Sequence, residues 1–152
     1  MWRTYFPKGR IYGIDIFDKS RHDERRIKTF KGSQADDVFL KQVLETTGTP
    51  DIIIDDGSHL NEHVIHTFKV LFPVLRDQGI YVIEDTQTSY WKRYGGSSEE
   101  FNRPDTSMGY LKSLTDGLNH TEFENRTEAP TYLEQHISEI HFYHNLVFIY
   151  KK

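Results

Sequence analysis

The chain has 152 residues, enough for one domain with a core, and is 36% hydrophobic and 28% charged. A net charge of -4 argues against a general nucleic-acid binder, and the absence of cysteine excludes disulfides and thiolate metal sites. No apolar run approaches the ~20 residues of a membrane helix and no charged-then-apolar leader opens the chain, so a cytoplasmic protein without a membrane partner is expected.

Strand and helix patterns alternate, which predicts a largely parallel α/β sheet in a single domain over 1–152. Arg10 to Phe17 reads as a short strand with Asp15 and Asp18 near its end. The basic cluster Arg21 to Lys31 is interrupted by Asp23 and Glu24 and reads as a solvated loop, with a weak strand over Arg26 to Phe30. Asp36 to Thr46 is predicted helical, with Val38, Phe39, Val43 and Leu44 as its apolar face, and Gly48-Thr49-Pro50 breaks it. Asp51 to Asp55 reads as a buried strand. Asn61 to Leu75 has Val64, Ile65, Phe68, Leu71, Phe72 and Leu75 at helical spacing. Gly79 to Ile83 is a second buried strand, followed by a polar aromatic loop from Thr86 to Asn102. Thr106 to Leu118 reads as a helix. Ile137 to Tyr143 and Leu146 to Tyr150 form an antiparallel hairpin around His144-Asn145.

Two acidic pairs close two of these strands. Asp55-Asp56 ends one, with His59 just beyond it in Asp-Asp-Gly-Ser-His, and Glu84-Asp85 ends the other. In a parallel α/β sheet, ligands bind beyond the carboxyl ends of the strands. Four carboxylates and an imidazole converging there are unfavourable unless a cation neutralises them. The pattern therefore points to a hard metal ion with a nearby base. N-capping accounts for one of these residues but not for the second pair. His59, His63 and His66 leave a histidine-rich zinc site open as an alternative, although carboxylates suit magnesium better.

Gly-Ile-Asp-Ile-Phe-Asp-Lys-Ser, Ile-Asp-Asp-Gly-Ser-His and Val-Ile-Glu-Asp-Thr-Gln-Thr-Ser-Tyr-Trp together resemble one family. It is the metal-dependent, S-adenosylmethionine-dependent O-methyltransferases that modify sugars of macrolide antibiotics, such as the mycinamicin and macrocin enzymes. The resemblance is dense from Tyr5 to Gly96 and loose over the terminal hairpin. It implies a Rossmann-like class I methyltransferase sheet, mostly parallel with a C-terminal antiparallel hairpin. The family's first strand and its glycine-rich turn are missing before Asp15. Either the chain is a truncated or decayed copy, or the strands ending at Asp15 and Asp55 pair directly.

The resemblance also implies roles. Asp15 would hold ribose hydroxyls, since a carboxylate accepts two O–H bonds at once. Gln34 would lie near the adenine, and Asp55 and Asp56 on the cofactor side. Asp56, Glu84 and Asp85 would bind Mg2+, and His59 would be the general base, because an imidazole titrates near neutral pH. Tyr90, Trp91 and Tyr94 would face a glycosylated small-molecule substrate. The expected reaction moves a methyl group from S-adenosylmethionine to a sugar hydroxyl. Alternatives are an inactive remnant of the fold, a related hydroxylase branch, and a carboxylate-metal phosphohydrolase, for which no phosphate-cradling glycine loop adjoins the acids. The resemblance leaves a homo-oligomer open, since members of the family assemble partly through segments this chain lacks.

Overall fold

The computed structural model describes all of the chain, Met1–Lys152. Its residues gather into two compact units, Met1–Gly48 and Thr49–Lys152. No helix is long and apolar enough to cross a membrane.

The first unit contains α1 (Trp2–Tyr5), β1 (Ile11–Asp15), β2 (Ile27–Lys31) and α2 (Asp37–Thr47). β1 and β2 pair in parallel, from Ile11 opposite Ile27 to Asp15 opposite Lys31. The basic cluster divides, and the weak strand expected over Arg26 to Phe30 is present in its second half as β2. Arg26 turns back to donate to the carbonyls of Arg3, Phe6 and Gly9. A guanidinium has five donors in a fixed fork, so one side chain holds three carbonyls near the short α1.

Asp36 starts α2 by accepting from the Val38 and Phe39 N–H groups. Gly48, at φ 72°, ends it. The buried face differs from the expected one. Leu40 and Val43 are buried, Phe39 and Leu44 are half-buried, and Val38 is 65% exposed. Val38 lies in the first turn beside the capping carboxylate, where the helix faces solvent.

The second unit contains β3 (Ile52–Asp55), α3 (Asn61–Leu71), β4 (Ile80–Glu84), α4 (Ser107–Gly117), α5 (Tyr132–His136), β5 (Ile137–Tyr143) and β6 (Leu146–Lys151). The sheet order is β3-β4-β6-β5. β3 and β4 are parallel and joined through α3, while β6 pairs antiparallel with both β4 and β5. β1 finds its partner in β2, and β3 in β4, rather than in each other.

Alternation along the strands gives the sheet two unlike faces. One face carries Asp55, Tyr81, Ile83, Val147, Ile149 and Lys151, all buried. Phe68 of α3 meets Tyr81 edge-to-face at 5.1 Å and Phe72 at 5.0 Å, and Leu111 of α4 is also fully enclosed. Each such ring contributes about 1.5–3 kcal/mol by leaving water. The other face is more open. Ile52 and Ile54 are 41% and 37% exposed, so β3 is not the buried strand its run of three isoleucines suggests.

α3 stops at Leu71, shorter than the periodicity predicts, because Pro73 cannot continue its hydrogen bonding. Phe72 and Leu75 remain buried through a tight turn whose N–H groups bond to the Leu71 and Phe72 carbonyls. The Lys151 ammonium donates to the Pro73 and Leu75 carbonyls, closing this helix end from within the unit. α5 was not anticipated, although Thr131-x-x-Glu134 is a capping box in sequence and in structure.

Candidate metal centre

β3 and β4 are adjacent and parallel, with Asp55 opposite Ile83, so the residues that follow each strand emerge together. Asp56, His59 and Asp85 offer donor atoms that all lie within 4.8 Å of one another. His59 Nε2 is 3.6 Å from Asp85 Oδ2 and 3.8 Å from Asp56 Oδ1. Glu84, expected as a third carboxylate ligand, is outside this tight trio but inside its electric field. Burial pushes its carboxyl pKa up, the negative charges of Asp56 and Asp85 push it further, and His59 opposes them.

Two of these residues have backbones that L-amino acids rarely adopt. His59 has φ 57° and Asp85 φ 53°. Each such residue carries about 1–3 kcal/mol of strain, which the surroundings must offset. Here the strain turns two side chains toward one point.

The donor set fits a hard cation. Carboxylate oxygens with one imidazole suit magnesium, which prefers oxygen ligands. The mutual repulsion recorded in Glu84 is what a bound cation would relieve. The histidine-rich zinc alternative fits less well. His59 precedes α3 rather than sharing its face, and His63 Nδ1 lies 2.9 Å from Ser58 Oγ.

Asp55 diverges from Asp56. It is 7% exposed and lies on the packed face, where its charge adds to burial in raising the Tyr81 hydroxyl pKa well above the usual value. The acidic pair therefore divides between the interior and the strand end.

The loop after Asp85 forms two short 3-10 turns, Thr86–Tyr90 and Lys92–Tyr94. Tyr90 and Trp91 are exposed, and Tyr94 is half-buried. The Arg93 guanidinium lies 5.0 Å from the Trp91 ring centre and 5.1 Å from that of Tyr94. Its involvement was not anticipated, although alternation of aromatic and cationic residues is a visible signal for cation–π contact. The loop folds back tightly at Gly96, where a Cβ would lie 2.3 Å from the Ser89 carbonyl oxygen.

In the first unit, Asp15 ends β1 as expected. Its carboxylate accepts the Phe17 N–H at 2.8 Å and lies 3.4 Å from the Lys19 ammonium. These contacts hold its pKa below the usual range, the Phe17 bond most strongly. Gln34 is half-buried in the turn between β2 and α2, two residues before Asp36, the N-cap of that helix.

No family model matches the chain. Curated relatives do. Mycinamicin VI 2''-O-methyltransferase of Micromonospora griseorubida is 46% identical over 99% of the chain and 38% of its own length. Demethylmacrocin O-methyltransferase of Streptomyces fradiae is 47% identical over the same shares. An 8-demethyl-8-alpha-L-rhamnosyl tetracenomycin-C 2'-O-methyltransferase of Streptomyces olivaceus is 44% identical over the whole chain and 40% of its own length. The chain thus spans about two-fifths of the length of the relatives it matches. Among solved structures, the MycE methyltransferase of the mycinamycin pathway, in complex with Mg, SAH and mycinamycin VI, matches with a TM-score of 0.92. That match has 46% identity and covers 99% of this chain and 38% of the other. A second MycE structure, with Mg and SAH, gives 0.94. In sequence and in its class I methyltransferase α/β fold, the chain is similar to about two-fifths of each of these sugar O-methyltransferases.

Proposed function

We propose that this chain carries the metal-binding and proton-accepting part of a magnesium-dependent O-methyltransferase. The reaction moves a methyl group from S-adenosylmethionine to a sugar hydroxyl of a glycosylated natural product. The observation that carries the reading is the gathering of Asp56, His59 and Asp85 within 4.8 Å where two parallel strands end. Relatives at 44–47% identity named for methyl transfer to such compounds, and MycE structures holding Mg and SAH, support it.

Asp56 and Asp85, with Glu84 beside them, are the residues that would hold the ion. Bound magnesium supplies Lewis acidity that eases proton loss from a hydroxyl. His59 takes that proton at Nε2, the ring nitrogen that faces the carboxylates. The sugar oxygen then bonds to the methyl carbon as the carbon–sulfur bond breaks, and the electron pair of that bond stays on sulfur as S-adenosylhomocysteine leaves. Trp91, Tyr90 and Tyr94 offer aromatic faces to the sugar or its aglycone. Asp15 is the candidate for the ribose hydroxyls, and Gln34 for the adenine. The same reading carries one catalytic domain, a cytoplasmic location, no nucleic-acid partner and room for a homo-oligomer.

The test is calorimetric titration of the folded chain with S-adenosylmethionine, with and without magnesium. Binding strengthened by magnesium supports the reading and makes methyl-transfer assays on glycosylated macrolides the next step. A folded sample that binds neither would favour a remnant of the fold.

A further inference from the structure

Asn61 is the first residue of α3, yet its side chain does not cap that helix. It is 1% exposed and reaches three other segments. Its Nδ2 donates to the Tyr94 carbonyl at 2.7 Å and to the Thr88 carbonyl at 3.3 Å. Its Oδ1 accepts the Ser107 N–H at 2.6 Å, at the start of α4. Buried polar groups surround these bonds. Ser89 Oγ lies 2.6 Å from Ser107 Oγ and accepts the Met108 N–H, and Thr88, Ser89, Thr106 and Ser107 are all buried.

Two links connect this amide to the candidate metal centre. Along the chain, Asn61 stands two residues beyond His59. Through hydrogen bonds, the Thr88 carbonyl it holds belongs to a residue whose own N–H and hydroxyl both donate to the Asp85 carbonyl, at 3.2 and 3.0 Å. His59 and Asp85 are the two left-handed residues of the cluster, so each needs external contacts to hold its conformation. On the far side of the same loop, the Tyr94 carbonyl fixes the turn that carries Trp91 and Arg93.

We infer that Asn61 is a positioning residue: its buried amide pins the Asp85 turn and the aromatic turn to the start of α3, and so sets both metal affinity and the placement of Trp91. The inference rests on the reading of Asp56, His59 and Asp85 as a metal site. Partners that orient ligands in this way change metal affinity by about 10–100-fold when removed.

The experiment is Mg2+ titration by calorimetry, with Trp91 emission recorded in a Trp2→Phe background, where Trp91 is the one remaining tryptophan. Asn61→Asp keeps an oxygen to accept the Ser107 N–H and loses both donors. It is expected to weaken Mg2+ binding by about 10-fold or more and to shift Trp91 emission to the red. Thr106→Ala is the control. It removes the α4 cap, whose hydroxyl accepts the Gly109 N–H, and leaves the Asn61 bonds in place. It should lower thermal stability with Mg2+ affinity unchanged. Wild-type affinity and emission in a folded Asn61→Asp protein would overturn the inference, as would an equal loss of affinity in Thr106→Ala. Should Asn61→Asp not fold, Thr88→Val, which removes the hydroxyl bond to Asp85, is expected to weaken Mg2+ binding severalfold. Unchanged affinity there would equally overturn it. A wild-type protein that binds no Mg2+ would fail the metal reading itself, which separates the two.

Discussion

The two units solve the problem of stability differently. Thr49–Lys152 buries Phe68, Phe72, Tyr81, Ile83, Leu111, Val147 and Ile149 around a four-stranded sheet. Met1–Gly48 has a two-stranded sheet and buries Leu40 and Val43, while Trp2, Tyr5, Tyr12, Ile14, Ile16 and Phe17 stay exposed. It holds its loops with polar clamps instead, such as Arg26 on three carbonyls and Asp23 on Lys28 and Thr29. The lesson concerns where precision is located. The residues proposed to hold a metal ion, Asp56, His59 and Asp85, stand on the unit with the packed core, as a preorganised site would require.

The largest test of that contrast is chemical. Asp56→Asn or Glu84→Gln should reduce magnesium-dependent methyl transfer by at least about 100-fold and leave the circular dichroism spectrum intact, because the core holds the strand ends without the ion. Full turnover in EDTA would remove the metal from the reading.

Core truncation comes next. Phe68→Ala should destabilise the second unit by about 3–5 kcal/mol, measured by denaturant unfolding, because it empties the centre of a ring cluster. Leu40→Ala in the first unit should cost nearer about 2 kcal/mol, since Val43 is the one other buried apolar side chain there. Equal losses would mean that the two units share one cooperative transition.

His59→Ala should lower turnover by about 100-fold, while Mg2+ affinity measured by calorimetry changes less, since carboxylates supply most of the binding. An affinity loss as large as that of Asp56→Asn would recast His59 as a ligand rather than a base.

The smallest effect is electrostatic. Arg126 holds the Glu134 carboxyl down to about 2, and Lys28 and Thr29 hold Asp23 to about 2. Both native pKa values lie below the ordinary carboxylate range, so each group stabilises its unit above about pH 4 and loses that contribution as pH falls toward about 2. Arg126→Ala should flatten this acid-side loss in hydrogen-exchange protection of the second unit alone, and Lys28→Ala in the first alone. A change in both units from either variant would show coupling between them.

Much of this was written in local patterns. The strands ending at Asp15, Asp55 and Glu84, the helices around Val64 and Leu111, and the terminal hairpin follow from periodicity and turn residues, because those signals depend on neighbours in the chain. The acidic strand ends pointed to a candidate metal centre for the same reason: the element that delivers each carboxylate is itself local. Val38, Ile52 and Ile54 are exposed where their apolar character predicts burial, because an apolar residue does not encode which face will be covered. α5 leaves only its capping box in the sequence, since five residues carry no periodicity.

The sequence by itself determined the strands and the longer helices, the order in which they occur, and the chemical types at the ends of β3 and β4. Tertiary structure decided the rest. It placed β6 rather than β5 against β4, sent Asp55 to the interior and Asp56 to the strand end, and joined Asn61 to Thr88, Tyr94 and Ser107 across 27 to 46 residues of chain. Such contacts depend on which surfaces meet when the core closes, and a pairing between residues that far apart leaves no periodic trace in the chain.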